Sequence, residues 1–145
     1  MNSIPALAGI AEPLNNGYDS LIMAQEKVLI VEDEDNERTG LAELISSWGY
    51  RTDTARDGME GLDRVAAFSP SIVLTDMKMP RMSGLELLGK LATADQTIAV
   101  IVVTAQGTID SAVQAMRMGA YDYITKPIDT RALPGLVADV LKATL

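Results

Sequence analysis

The sequence predicts a doubly wound α/β domain, with five strand–helix pairs building one parallel sheet. Three observations predict it. Apolar runs at residues 28–31 (VLIV), 72–74 (IVL) and 99–103 (AVIVV) are continuous rather than alternating, as in strands buried on both faces. Segments between them carry apolar residues at three-to-four spacing, the period of a helix packed on one side. The two patterns alternate from Lys27 onward, and right-handed crossovers then place helices on both faces of the sheet.

The elements follow in order. After the first strand, Leu41, Leu44, Ile45 and Trp48 trace a helix face; Asp35 is expected to cap that helix, and Gly49 to end it in the left-handed conformation. A weaker strand covers Arg51 to Ala55. Asp57 is placed to cap the helix holding Met59, Leu62, Val65 and Ala66. Beyond the third strand, Ser83-Gly84-Leu85-Glu86 reads as a capping box ahead of Leu87, Leu88 and Leu91. The fourth helix runs from Thr108 to Met118 with Ile109, Val113 and Met116 on one face and Gly119 as its stop. Residues 121–124 (YDYI) form a short fifth strand. The last helix is expected from near Asp129, with Leu133, Leu136, Val137, Val140 and Leu141 turned inward. Pro134 complicates it, because an interior proline costs about 3 kcal/mol. Either that helix starts near Leu133 with Pro134 in its first turn, or it is kinked.

Composition narrows the chemistry. The 145 residues suit one domain, 26–145, preceded by an extension over residues 1–25 that lacks periodic apolar patterning and is expected to be flexible. Met23 could be the natural start, and the first basic residue is Lys27, so no charged secretory leader is read there. No apolar stretch approaches the roughly 20 residues of a membrane span. Cysteine and histidine are both absent, which removes disulfides, thiolate sites, imidazole catalysis and imidazole ligation. A net charge of −8 opposes direct binding to nucleic acid. Any metal must sit on oxygen ligands, which points to magnesium or calcium.

Acidic residues fall at the carboxyl ends of two strands, where open parallel sheets bind ligands. Glu32 and Asp33 follow the first strand directly, and Asp76 follows the third. Taken singly, each is more often a helix cap or a solvated loop residue. Thr104 ends the fourth strand and Lys126 follows the fifth, so a hydroxyl and an ammonium share that edge. Such groups suit the oxygens of a phosphoryl group beside an acidic cation site.

The segments 31–34 (VEDE), 74–80 (LTDMKMP), 103–105 (VTA) and 126–127 (KP) resemble, in order and spacing, the receiver domains of two-component response regulators. The resemblance covers about residues 27–144. It implies the flavodoxin-like strand order 2-1-3-4-5, which sets strands one and three side by side. It further implies that Asp76 accepts a phosphoryl group from a sensor histidine kinase. Mg2+ would then be held by Asp33, Asp76 and the backbone carbonyl of Lys78, with Glu32 acting mainly through bound water. Lys126 would pair with a phosphoryl oxygen, across a Lys126-Pro127 bond similar to the family's cis peptide. Thr104 and Tyr123 would report the event as a conformational switch. On this resemblance the chain is not a conventional enzyme but a self-phosphorylating acceptor with autophosphatase activity, located in the cytoplasm. Lys78 and Gln106 hold the variable positions that tune dephosphorylation in similar proteins.

Residues 104–124 are similar to receivers of the nitrogen-regulator type, which precede a sigma-54-activating ATPase domain and a DNA-binding domain. A stand-alone receiver acting through protein–protein contacts is the alternative. The face formed by the fourth helix, fifth strand and fifth helix is expected to mediate a phosphorylation-dependent homodimer. Two rival classes fit less well. A haloacid-dehalogenase-type phosphatase needs a second aspartate where Lys78 stands, and a flavodoxin-like cofactor module would find phosphate repelled by residues 32–35 (EDED). Met77, Met79, Met82, Met116 and Met118 read as packing residues.

Overall fold

In the computed structural model, residues 26–94, 97–105 and 107–144 are described; the extension over 1–25 and Gln106 lie outside the described residues. Five parallel strands lie in the order β2-β1-β3-β4-β5, built from β1 (Lys27–Val31), β2 (Arg51–Ala55), β3 (Ile72–Asp76), β4 (Ala99–Thr104) and β5 (Asp122–Thr125). They alternate with α1 (Asp35–Ser47), α2 (Gly58–Phe68), α3 (Gly84–Ala94), α4 (Ile109–Arg117) and α5 (Leu133–Thr144). This is the doubly wound fold the apolar runs predict. Register fixes the site: Val31 pairs with both Ala55 and Thr75, and Asp76 pairs with Val103, so the ends of β1, β3 and β4 lie level.

The pleat divides each strand's side chains between two cores. Leu29, Val31, Val73, Val100 and Val102 face one side, where they pack with Leu87, Leu88 and Leu91 of α3 and with partly buried Leu62 and Val65 of α2. Val28, Ile30, Ile72, Leu74, Ile101 and Val103 face the other, against Ile45 of α1 and Leu133, Val137, Val140 and Leu141 of α5. Among the described residues no helix is long and apolar enough to cross a membrane.

Several local expectations hold. Asp57 caps α2 through the Glu60 amide, and Ser83 and Glu86 exchange hydrogen bonds at 3.0 and 3.1 Å ahead of α3. Gly49 and Gly119 adopt positive φ, and the Lys126-Pro127 peptide is cis. Pro134 is the second residue of α5, where its missing N–H would have no intrahelical partner anyway.

One expectation is corrected, and one alternative is decided. The cap of α1 is Glu34, not Asp35: Glu34 is extended and its carboxylate accepts the Glu37 amide at 2.7 Å, while Asp35 is already helical and pairs with Arg38. The last helix begins at Leu133, because the Ala132 and Leu133 amides both close on the Asp129 carbonyl to make a separate turn. The Ile109, Val113 and Met116 face of α4 points to solvent, with Ile109 83% exposed. Ala115 is buried in α4, and the helix packs on β5, an edge strand; among the described residues nothing lies beyond to cover its outer stripe.

Candidate functional site

The carboxyl edge of the sheet gathers the acidic residues that the sequence places at strand ends. Glu32 is buried directly after β1, Asp33 is exposed beside it, and Asp76 is half-buried as the last residue of β3. One carboxylate oxygen from each lies within 4.8 Å of the others. Burial pushes the carboxyl groups of Glu32 and Asp76 above their ordinary range. For Asp76, Lys126 and the Met77 amide oppose that rise, while the nearby charges of Asp33 and Glu37 add to it. The donors are all hard oxygens and the chain has no histidine or cysteine, so the set fits magnesium.

Backbone holds Asp76 in place. Its Oδ1 accepts the Met77 amide at 3.0 Å, and that amide also reaches the Val103 carbonyl at 2.9 Å. Loop 77–83, which carries Lys78, then closes back through Gly84 N–H on the Met77 carbonyl at 2.8 Å. Gly84 has no room for a side chain, since a Cβ there would overlap the Asp76 carbonyl oxygen. The crest of the loop is tied to α2. Gly58 N–H donates to the Met82 carbonyl at 3.0 Å, and the Arg81 guanidinium pairs with buried Asp57 through Nε at 2.8 Å and through Nη2. Arg81 takes a positive φ of 67° to make this clasp.

Lys126 enters from the loop after β5. Its Nζ donates to Glu32 Oε1 at 2.9 Å and to Glu37 Oε1 at 2.6 Å, and stands 3.8 Å from Asp76 Oδ1. Burial works against the ammonium, but its hydrogen bonds to Glu32 and Glu37 and the charge of Asp76 outweigh that and raise its pKa. The backbone shares in this, with Lys126 N–H donating to the Thr104 carbonyl at 2.8 Å. Thr104 is buried at the end of β4. Tyr123 is half-buried on β5, and its hydroxyl shares a 2.7 Å hydrogen bond with Ser111 Oγ, part of the capping box of α4. The edge therefore brings together Glu32, Asp33, Asp76 and Lys126, with Thr104 level beside them. Tyr123 hydrogen-bonds away from this group.

Sequence reasoning missed three contributors. Glu37 lies in the first turn of α1 and reaches Lys126, 89 residues away, which no local pattern signals. Gly84 and the Asp57–Arg81 pair were legible only as helix-start residues and a loop charge. Below the charged groups a cavity of about 580 Å3 opens between α1 and the loop after β5, lined by Ile30, Leu41, Leu44, Leu74 and Ile128.

Comparison with known proteins agrees with this geometry. Residues 28–138 match the family model described as response regulator receiver domain. The chain is 39% identical over 107 residues to sporulation initiation phosphotransferase F of Bacillus subtilis, covering 74% of this chain and 86% of that protein. It is 35% identical to the transcriptional regulatory protein ZraR of Klebsiella oxytoca, covering 83% of this chain but only 27% of that protein. A receiver domain protein (CheY-like) from Methanospirillum hungatei superposes with a TM-score of 0.79 at 28% identity, over 83% of this chain and 96% of that one. The chain belongs to the response regulator receiver domain family of two-component signalling.

Proposed function

We propose that residues 26–145 form a phosphoacceptor receiver in which Asp76 takes a phosphoryl group from a phosphohistidine on a sensor histidine kinase. The observation that carries this is the convergence of Glu32, Asp33, Asp76 and Lys126 at one sheet edge. An Asp76 carboxylate oxygen attacks phosphorus; the O–P bond forms as the N–P bond breaks, and the electron pair leaves on the imidazole nitrogen. Asp33, Asp76 and the Lys78 carbonyl are the groups that would hold Mg2+, with Glu32 contributing through water. When bound, magnesium supplies positive charge that offsets the charge on the transferring group. Lys126 neutralises a further phosphoryl oxygen. Hydrolysis of the resulting acyl phosphate would reset the domain as an autophosphatase.

The readout is a change of population between two conformers, with the Thr104 hydroxyl turning toward the phosphoryl group and Tyr123 moving into the space released. Its consequence would appear on the face of α4, β5 and α5, where Ile109, Val113, Met116 and Tyr121 are exposed. Phosphorylation then favours a homodimer through that face. Sedimentation with beryllofluoride should give a larger mass than without it, and equal masses would end this part of the proposal.

The similarity to the transcriptional regulatory protein ZraR, of which the chain spans about a quarter, supports a regulator whose output is transcription. The resemblance of residues 104–124 to nitrogen-regulator receivers carries the finer reading, a cytoplasmic protein with a sigma-54-dependent output. The 86% coverage of phosphotransferase F favours a second reading, a receiver that acts alone through protein contacts. The direct test is acetyl phosphate with Mg2+, followed by intact mass. A single phosphate increment is expected in the wild type and none in Asp76→Ala; an increment that persists in the variant would move the site elsewhere.

A further inference from the structure

We infer that Glu37 is a positioning residue that competes with a phosphoryl group for Lys126, so that release of Lys126 from α1 is part of the cost of phosphorylation. The inference rests on the receiver chemistry proposed above. The ammonium has three N–H groups, and two are spent on Glu32 and Glu37 at 2.9 and 2.6 Å. The 3.8 Å to Asp76 Oδ1 leaves that contact as an ion pair without a hydrogen bond. Glu32 is buried and anchored from its other oxygen by the Glu34 amide at 3.0 Å, so it cannot follow Lys126 if the ammonium moves. Glu37 is different. Its side chain is 51% exposed on the first turn of a helix, and solvent can take over its hydrogen bonds when Lys126 leaves. Of the two restraints, Glu37 is therefore the one that can be exchanged.

An anionic phosphoryl group on Asp76 competes with Glu37 for the ammonium, which the Glu37 hydrogen bond ties to α1. It also meets Glu37 as an additional negative charge beside Glu32 and Asp33. Both effects favour the unphosphorylated state. The contact is half-exposed, so its effect is modest, about threefold to fivefold in an equilibrium constant. The opposite sign has its own physical case: Glu37 could preorganise Lys126, in which event its removal would weaken anion binding.

Beryllofluoride titration in Mg2+, followed calorimetrically, separates the two. Glu37→Gln should bind beryllofluoride about threefold more tightly than the wild type. Glu37→Asp shortens the reach but keeps the charge, so it removes the contact and leaves the repulsion; its affinity should lie between those of the wild type and Glu37→Gln. In a Lys126→Gln background the Glu37→Gln effect should shrink, because only the repulsion between Glu37 and the anion then remains. Acetyl phosphate kinetics should show the gain in KM more than in kcat. Weaker or unchanged binding in Glu37→Gln overturns the inference, as does wild-type affinity in Glu37→Asp. If the wild type binds no beryllofluoride, or Asp76→Ala binds it equally well, the receiver chemistry itself has failed.

Discussion

The two faces of the sheet carry the same kind of core but support the site in opposite ways. On the face covered by α2, α3 and α4, loop 77–83 is drawn down by backbone hydrogen bonds through Gly84 and Gly58 and leaves no space for a Cβ at either. On the face covered by α1 and α5, a cavity of about 580 Å3 lies under the charged groups, and side-chain charge rather than packing holds them. Asp76 stands between a rigid backbone clamp and a loose electrostatic one. Main chain fixes loop 77–83, whereas Lys126 is held by long side chains.

One substitution made on each face sharpens the contrast. Gly84→Ala forces a Cβ into the Asp76 carbonyl, so either α3 or the end of β3 must shift; a loss of about 3 kcal/mol or more in urea unfolding is expected. Gly40 lies mid-helix in α1 with nothing within 4 Å of an added Cβ. There the same change removes glycine's conformational freedom without a clash, and a gain of about 1 kcal/mol is expected. Equal effects at the two positions would erase the distinction between the faces.

The same contrast explains what the sequence made legible. Five strands, their order of appearance and the acidic strand ends were readable because continuous apolar runs and the residues just after them are local signals. Leu74-Thr75-Asp76 announces itself; Glu37 does not, being one exposed acid among several whose partner lies 89 residues on. The α1 cap was ambiguous because four acids run from Glu32 to Asp35, and the backbone angles of Glu34, not its chemistry, decide among them. Periodicity found the Ile109, Val113 and Met116 stripe but could not say that β5 would be an edge strand, leaving the stripe uncovered. Strand order itself came from resemblance, since crossover handedness alone does not select 2-1-3-4-5.

The smallest expected effect lies in pH dependence, where the clamps differ in sign. At the backbone clamp, the Glu60 amide first, then Arg81 against the cost of burial, hold Asp57 below its ordinary 3.8. A depressed folded value gives stability that is present above pH 3.8 and is lost as pH falls through that folded value. At Asp76, burial first, with Asp33 and Glu37 adding, holds the carboxyl above 3.8. A raised carboxylate favours folding below pH 3.8, and that contribution is lost as pH rises through the folded value. Thermal unfolding in a chelator should therefore separate two asparagine variants. Asp57→Asn keeps a capping oxygen but loses the charge facing Arg81; it should be less stable than the wild type at pH 7, by under about 1 kcal/mol because Arg81 is largely exposed. Asp76→Asn should be more stable than the wild type at pH 7, with the difference closing as pH approaches 3.8. Added Mg2+ should stabilise the wild type and leave Asp76→Asn nearly unmoved, because the energy recovered is that of the buried acceptor charge. If both variants lose stability at pH 7, Asp76 is held by favourable contacts like Asp57, and the loose half of the site is as rigid as the other.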